Sequence, residues 1–183
     1  LIIGGAGYIG SVLTKMLLDE GHDVTILDNF RFQQNSLLDC CHYKNFFVMR
    51  GDCRDQETVK NAVKNQEVII PLAALVGAPL CDTDQTAALS TNIDAIKLLL
   101  SLRTPEQKIL YPSTGSGYGA IGPDTLCTEE TPIAPISLYA KTKIEAEKMI
   151  LKSGNSIIFR LSTVFGTSPR PRLDLLVNDF VYR

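Results

Sequence analysis

The chain has 183 residues, of which 45% are apolar and 21% charged. That is the composition of an ordinary globular domain with enough length for a sizeable core, and it excludes disordered, collagen-like and disulfide-scaffold classes. The 18 basic and 20 acidic residues nearly cancel, so no basic field invites nucleic acid or an anionic membrane.

No apolar run reaches the roughly eighteen residues that span a bilayer. The first residues also lack the basic region, apolar stretch and cleavage site of a secretory leader. Cys40, Cys41, Cys53, Cys81 and Cys127 show no Cys-x-x-Cys spacing, and His22 and His42 are the only histidines. They read as reduced thiols of a cytoplasmic protein, and no metal site is expected.

Taken in chain order, short apolar, β-branched runs predict strands at Leu1–Ile3, Val24–Leu27, Phe46–Met49, Val68–Ile70, Ile109–Tyr111 and Ile157–Leu161. Helical period fills most of the gaps. Tyr8–Glu20 places Ile9, Val12, Leu13, Met16 and Leu17 on one face; Thr58–Lys64 is shorter, and Asp84–Leu102 and Ser137–Lys152 are longer. Both ends read as cut. Leu1–Ile3 is a strand's tail without an initiator Met, and Leu173–Arg183 is an apolar-patterned helix without a stop signal. Apolar strands alternating with helices predict an α/β fold with a doubly wound parallel sheet, whose ligand crevice lies outside the carboxyl ends of the strands.

The first strand runs into Gly4-Gly5-Ala6-Gly7-Tyr8-Ile9-Gly10 and straight on into a helix. Glycines at 4, 7 and 10 permit a tight turn and close approach of backbone N–H groups to a pyrophosphate at a helix N-terminus. The second strand ends at Asp28, about 20 residues past the glycine motif, where a dinucleotide fold places the acid that holds the adenosine ribose. A carboxylate there repels a 2′-phosphate and favours NAD over NADP, a preference that the cation of Arg31 opposes. Asp52 follows the third strand, where its side chain can meet the adenine, and Asp55 is placed to cap the next helix. Leu72-Ala73-Ala74, small after the fourth strand, lets a cofactor lie close to the backbone.

The fifth strand ends in hydroxyls at Ser113 and Thr114, and the helix opened by Ser137 carries Tyr139 and Lys143 one turn apart on one face. A phenol titrates near pH ~10. A cation about 5 Å away at an effective dielectric of about 20 contributes roughly 3 kcal/mol, or about two pKa units. Tyr139 is thus expected to serve as a general base, with Thr114 orienting the same substrate oxygen and Lys143 also gripping the nicotinamide ribose.

Together these residues resemble the extended short-chain dehydrogenases/reductases, in their NAD-dependent epimerase/dehydratase branch. The resemblance runs over the glycine motif, Asp28-Asn29, Gly51–Asp55, Leu72–Ala74, Thr91-Asn92, Ser113–Gly119, Pro135–Lys143 and Phe159–Gly166. It implies an NAD-binding set of Gly4, Gly7, Tyr8, Ile9, Gly10, Asp28, Asn29, Asp52, Cys53, Leu72, Ala73, Ala74 and Asn92, with Tyr139 and Lys143. Asn92 would support the active site from the long helix. Thr114, Tyr139 and Lys143 match the family's catalytic positions, and Thr114, Ser116, Tyr139 and Thr163 the substrate side.

There are three departures from the pattern. Pro71 stands where many relatives carry His. Gly115-Ser116 replaces the acidic pair of sugar 4,6-dehydratases, which argues against dehydration. Thr163 replaces a substrate-contacting Asn of several epimerases.

The implied protein is an NAD-dependent enzyme acting on a nucleotide-diphosphate sugar, an epimerase working through a transient 4-keto sugar. A net nucleotide-sugar 4-dehydrogenase or ketoreductase shares every residue, and an NAD-bound regulatory or scaffold protein is the non-enzymatic alternative. Residues 1–166 are expected to form the Rossmann-like NAD domain, and 167–183 the start of a smaller substrate domain largely absent from this chain. A homodimer is expected through the Asp84–Leu102 and Ser137–Lys152 helices, with Leu98, Leu99 and Leu100 as apolar material.

Overall fold

The computed structural model describes residues 1–122 and 126–183. Its strands are β1 (Ile2–Ile3), β2 (Val24–Asp28), β3 (Phe46–Arg50), β4 (Val68–Pro71), β5 (Lys108–Thr114) and β6 (Ser156–Leu161). Its helices are α1 (Tyr8–Asp19), α2 (Gln56–Ala62), α3 (Ala78–Thr83), α4 (Gln85–Leu89), α5 (Ala95–Leu102), α6 (Leu138–Lys152) and α7 (Leu176–Tyr182).

The strands form one sheet in the order β3-β2-β1-β4-β5-β6, with every neighbouring pair parallel. This is the doubly wound arrangement the alternating pattern predicts, with its reversal of strand order between β1 and β4. The period of two along the central strands divides the core. Leu1, Ile3 and Leu27 pack with Val59, Val63 and Leu99 on the α2–α5 face, whereas Ile2, Val24 and Ile26 pack with Leu18 of α1 on the other. A third cluster, Ile96, Ile109, Tyr111, Ala146 and Ile150, seats α5 and α6 on β5.

Four expectations need correction. The buried face of α1 is Gly10, Ser11, Thr14 and Leu18, while Val12 and Met16 are 36% and 60% exposed. The start of α1 lies too close to the glycine loop for large side chains: a Cβ at Gly10 would sit 2.6 Å from the Gly4 carbonyl oxygen. Apolar periodicity, which ignores small residues, therefore sets the face off-centre: Leu13 and Leu17 do pack on the core, and Val12 and Met16 do not.

The expected helix over Asp84–Leu102 is α4 and α5 joined by a π turn at Ser90–Asp94, with the Asp84 carboxylate capping it by accepting from the Ala87 N–H at 2.9 Å. A separate short helix, α3, precedes it. The Leu98–Leu100 stretch turns inward: Leu99 is buried, Leu98 packs on the sheet cluster and Leu100 on the β5 cluster. These leucines cover the sheet, with Leu98 and Leu100 keeping part of their surface outside.

The last helix begins at Leu176, not Leu173, because Leu175 is extended before it.

Asp55 caps α2, its Oδ1 accepting from the Thr58 N–H at 2.8 Å, as its position predicts. β5 continues through Pro112, which cannot donate a ladder bond. Its pairing with β4 covers only Lys108 and Ile109, so the proline lies past that ladder.

Candidate active site

The glycine loop sits over the sheet where β1 and β4 diverge. Gly4 has φ +87°, and a Cβ there would lie 2.6 Å from the Ala73 backbone nitrogen, so the loops after β1 and β4 meet backbone to backbone. Gly7 caps α1 without any side-chain hydrogen bond. The first N–H groups of α1 thus face the groove with only a glycine before them, a cradle suited to a pyrophosphate.

At the far end of this cradle the Asp28 carboxylate accepts from the Ala6 N–H at 3.0 Å and the Phe30 N–H at 2.8 Å. Beside it, Gln34 donates to the Ala6 carbonyl, leaving its buried Oε1 without a partner among the described residues. A ribose hydroxyl is a donor that fits this acceptor pair. These features fit the adenosine half of a dinucleotide.

Asn29 accepts from the Arg31 N–H at 3.0 Å and so shapes the turn. The Asp52 carboxylate is held bidentately by Arg54 at 2.9 and 2.7 Å, which brings it down to about 2, with burial opposing. Arg54 escaped sequence reasoning, and it leaves Asp52 less free for an adenine than expected. Burial, reinforced by the neighbouring Asp52, pushes the Cys53 thiol up to about 12, so this cysteine is an inert part of the wall. Leu72, Ala73, Ala74, Tyr8 and Ile9 also line the groove.

Tyr8 has a second task. Its hydroxyl donates to the Gly166 carbonyl at 2.7 Å and accepts from Asn178 at 3.0 Å. Ser168 donates to the Tyr8 carbonyl at 2.7 Å. The segment after β6 is thereby strapped onto the glycine loop.

Asn92 lies behind the groove and does not line it. Its Oδ1 accepts from the Leu75 N–H at 2.8 Å, and its Nδ2 donates to the Leu75 carbonyl and the Thr142 hydroxyl, each at 3.1 Å. Its place among the cofactor-contacting residues is corrected: at 2% exposure, with both ends of the amide used, it ties the β4 loop to α6. The π turn puts it there, and nothing in apolar periodicity signals such a turn.

Ser137 caps α6 by accepting from the Ala140 N–H at 3.1 Å, which sets Tyr139 in the first turn and Lys143 one turn below. Thr114 ends β5, its hydroxyl accepting from the Ser116 N–H at 3.1 Å. All three line the same groove as the glycine loop, and Ser116 and Thr163 lie along its wall.

The electrostatics differ from the expectation. Tyr139 is pushed above the usual phenol range, chiefly by burial; the neighbouring Thr114 hydroxyl and the charge of Arg172 pull it down, and Cys81 pushes it up. Lys143 does not lower it. The reason is geometric and dielectric: the ammonium lies 4.0 Å from the centroid of the Tyr111 ring, and complete burial brings Lys143 itself down to about 7, with Glu147 opposing. Arg172 lies past the end of β6, paired with Asp174 at 2.7 and 2.6 Å. Sequence reasoning missed it, although the rule that ligands bind beyond strand ends could have drawn attention to it.

Comparison with known proteins follows this geometry. A dinucleotide cradle, a Thr–Tyr–Lys group and a doubly wound sheet define a short-chain dehydrogenase-like domain. The family model described as "NAD dependent epimerase/dehydratase family" matches residues 1–181, and the chain belongs to that family.

The "Low-salt glycan biosynthesis protein Agl12" of Haloferax volcanii is 31% identical over 100% of this chain and 61% of its own length. A UDP-glucose 4-epimerase of Corynebacterium glutamicum is 30% identical over 82% of this chain and 45% of its own. A dTDP-glucose 4,6-dehydratase from Bacillus anthracis, solved in complex with NAD, superimposes with a TM-score of 0.84 at 27% identity, covering 99% of this chain and 59% of that one. The chain thus spans about half to three-fifths of the length of these relatives.

A buried, weakly compensated ammonium costs stability. The folded state holds the Lys143 proton less firmly than the usual 10.5, so the cost is complete below about 7 and fades as pH rises toward 10.5. Lys143→Met is expected to be more stable than the parent by about 1–3 kcal/mol near pH 6. Urea unfolding over a pH series should show this gap closing under alkaline conditions.

Proposed function

We propose that the protein is an NAD-dependent oxidoreductase of nucleotide-diphosphate sugars, and that its reaction is an epimerisation through a transient 4-keto sugar. The observation that carries this reading is the convergence of Thr114, Tyr139 and Lys143 on the groove that also holds the glycine cradle. Tyr139 accepts the proton of the C4 hydroxyl while Thr114 fixes the direction of that oxygen. The glycine cradle, Asp28 and Lys143 would hold NAD, which would supply a hydride acceptor and donor for C4. Lys143 and the surrounding backbone hold the cofactor ribose.

Two features shape the proton step. Thr114 and Arg172 both favour the phenolate against the burial that opposes it. No acidic side chain occupies 115 or 116, where the dehydratase pattern carries its acid pair, so proton donation for water elimination lacks that source. Residues 1–166 carry the cofactor and the catalytic groups in this reading, and 167–183 lead toward the substrate. The free cysteines of the described residues suit a reducing cytoplasm.

Incubating the intact protein with a panel of nucleotide sugars tests the reading. An epimer of unchanged mass is expected by NMR and mass spectrometry; a product lighter by one hydrogen pair would replace epimerisation by net dehydrogenation. With a substrate identified, Tyr139→Phe should lower turnover at least ~100-fold and leave NAD affinity nearly unchanged. Near-parental turnover of that variant would defeat the assignment of the base.

NAD is expected to bind more tightly than NADP, because the Asp28 carboxylate accepts a 2′-hydroxyl and repels a phosphate. Titration with both cofactors decides it, and equal or tighter NADP binding would hand the outcome to the exposed Arg31.

A homodimer through the outer faces of α4–α5 and α6 completes the proposal. It rests on the family resemblance and the exposed Leu89 of α4. Sedimentation of the intact protein at micromolar concentration should give the mass of two copies, and a monomer there would remove it.

A further inference from the structure

One face of α6 carries Tyr139, Lys143 and Glu147 at successive four-residue steps, the spacing that stacks side chains along a helix. All three lie along the groove wall. Glu147 is the most deeply buried: it is 2% exposed, and both carboxylate oxygens are engaged. Oε2 accepts from the Ser113 hydroxyl at 2.5 Å, and Oε1 from Arg160 Nε and Nη2 at 3.1 and 2.7 Å. Arg160 is itself anchored, donating to the Tyr118 hydroxyl at 3.2 Å and the Glu129 carbonyl at 3.3 Å. Ser113 precedes Thr114 on β5, Arg160 stands on β6, and Tyr111, whose ring lies under the Lys143 ammonium, is two residues before Ser113.

A carboxylate buried this deeply is expensive unless it is paired. Arg160 and Ser113 account for its survival but not for its position one turn below a buried lysine. The charged and titratable groups acting on Lys143 are few. Tyr139 and Glu147 share its helix, and Tyr111 faces it from β5. Arg160 stands beyond Glu147 on β6, and Cys81 of α3 lies on the Tyr139 side. Of these, only Glu147 brings a full negative charge.

We propose that Glu147 is a positioning residue for the reaction: clamped between Ser113 and Arg160, its carboxylate keeps Lys143 an ammonium ion on the Tyr111 ring, so that the lysine can hold the nicotinamide ribose. The proposal rests on the reading of Lys143 as the ribose-holding lysine. The direction of the effect is consistent: burial drives the lysine toward the neutral form, and Glu147 opposes it.

Glu147→Gln keeps the shape and the Ser113 hydrogen bond but withdraws the charge. NADH binding to the intact protein, followed by cofactor fluorescence from about pH 5 to pH 10, should then weaken at a pH lower by about one unit, a tenfold loss of proton affinity at Lys143. Glu147→Asp, which retains the charge, should keep the alkaline limb near its parental position even if affinity falls. Arg160→Gln provides an opposite and independent reading. It frees the carboxylate to act on the lysine, and the limb should move to higher pH. If Glu147→Gln does not fold, this second variant decides.

A parental limb in Glu147→Gln, or in Arg160→Gln where that variant decides, overturns the proposal, because a purely structural role lowers stability without moving the limb. Lys143→Ala separates the two levels. If it weakens NADH binding while the limb stays fixed in the Glu147 and Arg160 variants, only the inference about Glu147 falls. If it binds NADH like the parent, the reading of Lys143 falls and takes this inference with it.

Discussion

The buried amide of Asn92 joins the two halves of the groove. One half is backbone: the glycine loop and the residues after β4, which approach too closely for side chains. The other is side chain: the Thr114 hydroxyl and the Tyr139–Lys143 face of α6. Asn92 pairs both polar groups of Leu75 and reaches the Thr142 hydroxyl on α6. Removing it would orphan the buried Leu75 N–H, at a cost of about 1–3 kcal/mol, and leave the Leu75 carbonyl with the weak Cys81 thiol donor. It would also release α6 from the loop that carries the cofactor wall. The π turn between α4 and α5 gives up regular helix geometry to aim this one side chain.

Around that tie most of the charges at the groove are paired. Glu147 is held by Arg160, Asp52 by Arg54 and Asp174 by Arg172. A lysine placed among carboxylates at the groove would be well solvated and strongly charged, but its donors would be taken. Here its nearest neighbour is an aromatic face, which favours the cation without consuming an N–H. Among the described residues no acceptor takes an N–H of Lys143, which leaves its donors to a ligand. The arrangement gives up stability in exchange for availability, as sites commonly do.

Much of the fold was legible because its signals are local. Alternating apolar strands and helices predict a parallel sheet, and all six strands lie within a few residues of their predicted places. The glycine loop, Asp28 and the Tyr139–Lys143 pair were legible for the same reason: each depends on spacing within one segment.

What escaped depends on contacts across the chain. The buried face of α1 is centred on small residues that allow close approach, and a search for large apolar side chains displaces that centre. The Arg54 clamp on Asp52 and the position of Arg172 near Tyr139 arise from how loops fold back. Asn92 acts from behind the groove because of a π turn that no periodicity marks.

The electrostatic expectation for Tyr139 was wrong for a different reason, and the reason matters for how the site works. Spacing places Lys143 one turn from Tyr139, but it specifies neither where a long flexible side chain ends nor how much water surrounds it. A cation lowers a neighbouring phenol only if it is charged. Burial weakens that condition, and the ammonium rests on the Tyr111 ring. The two polar groups that do favour the phenolate come from β5 and from the strap after β6. Thr114 is fixed by the sheet, whereas Arg172 stands on a segment held to the glycine loop by Tyr8, Ser168 and Asn178. Arg172 is itself paired with Asp174, so its charge reaches the phenol already partly balanced, and burial remains the largest influence on Tyr139.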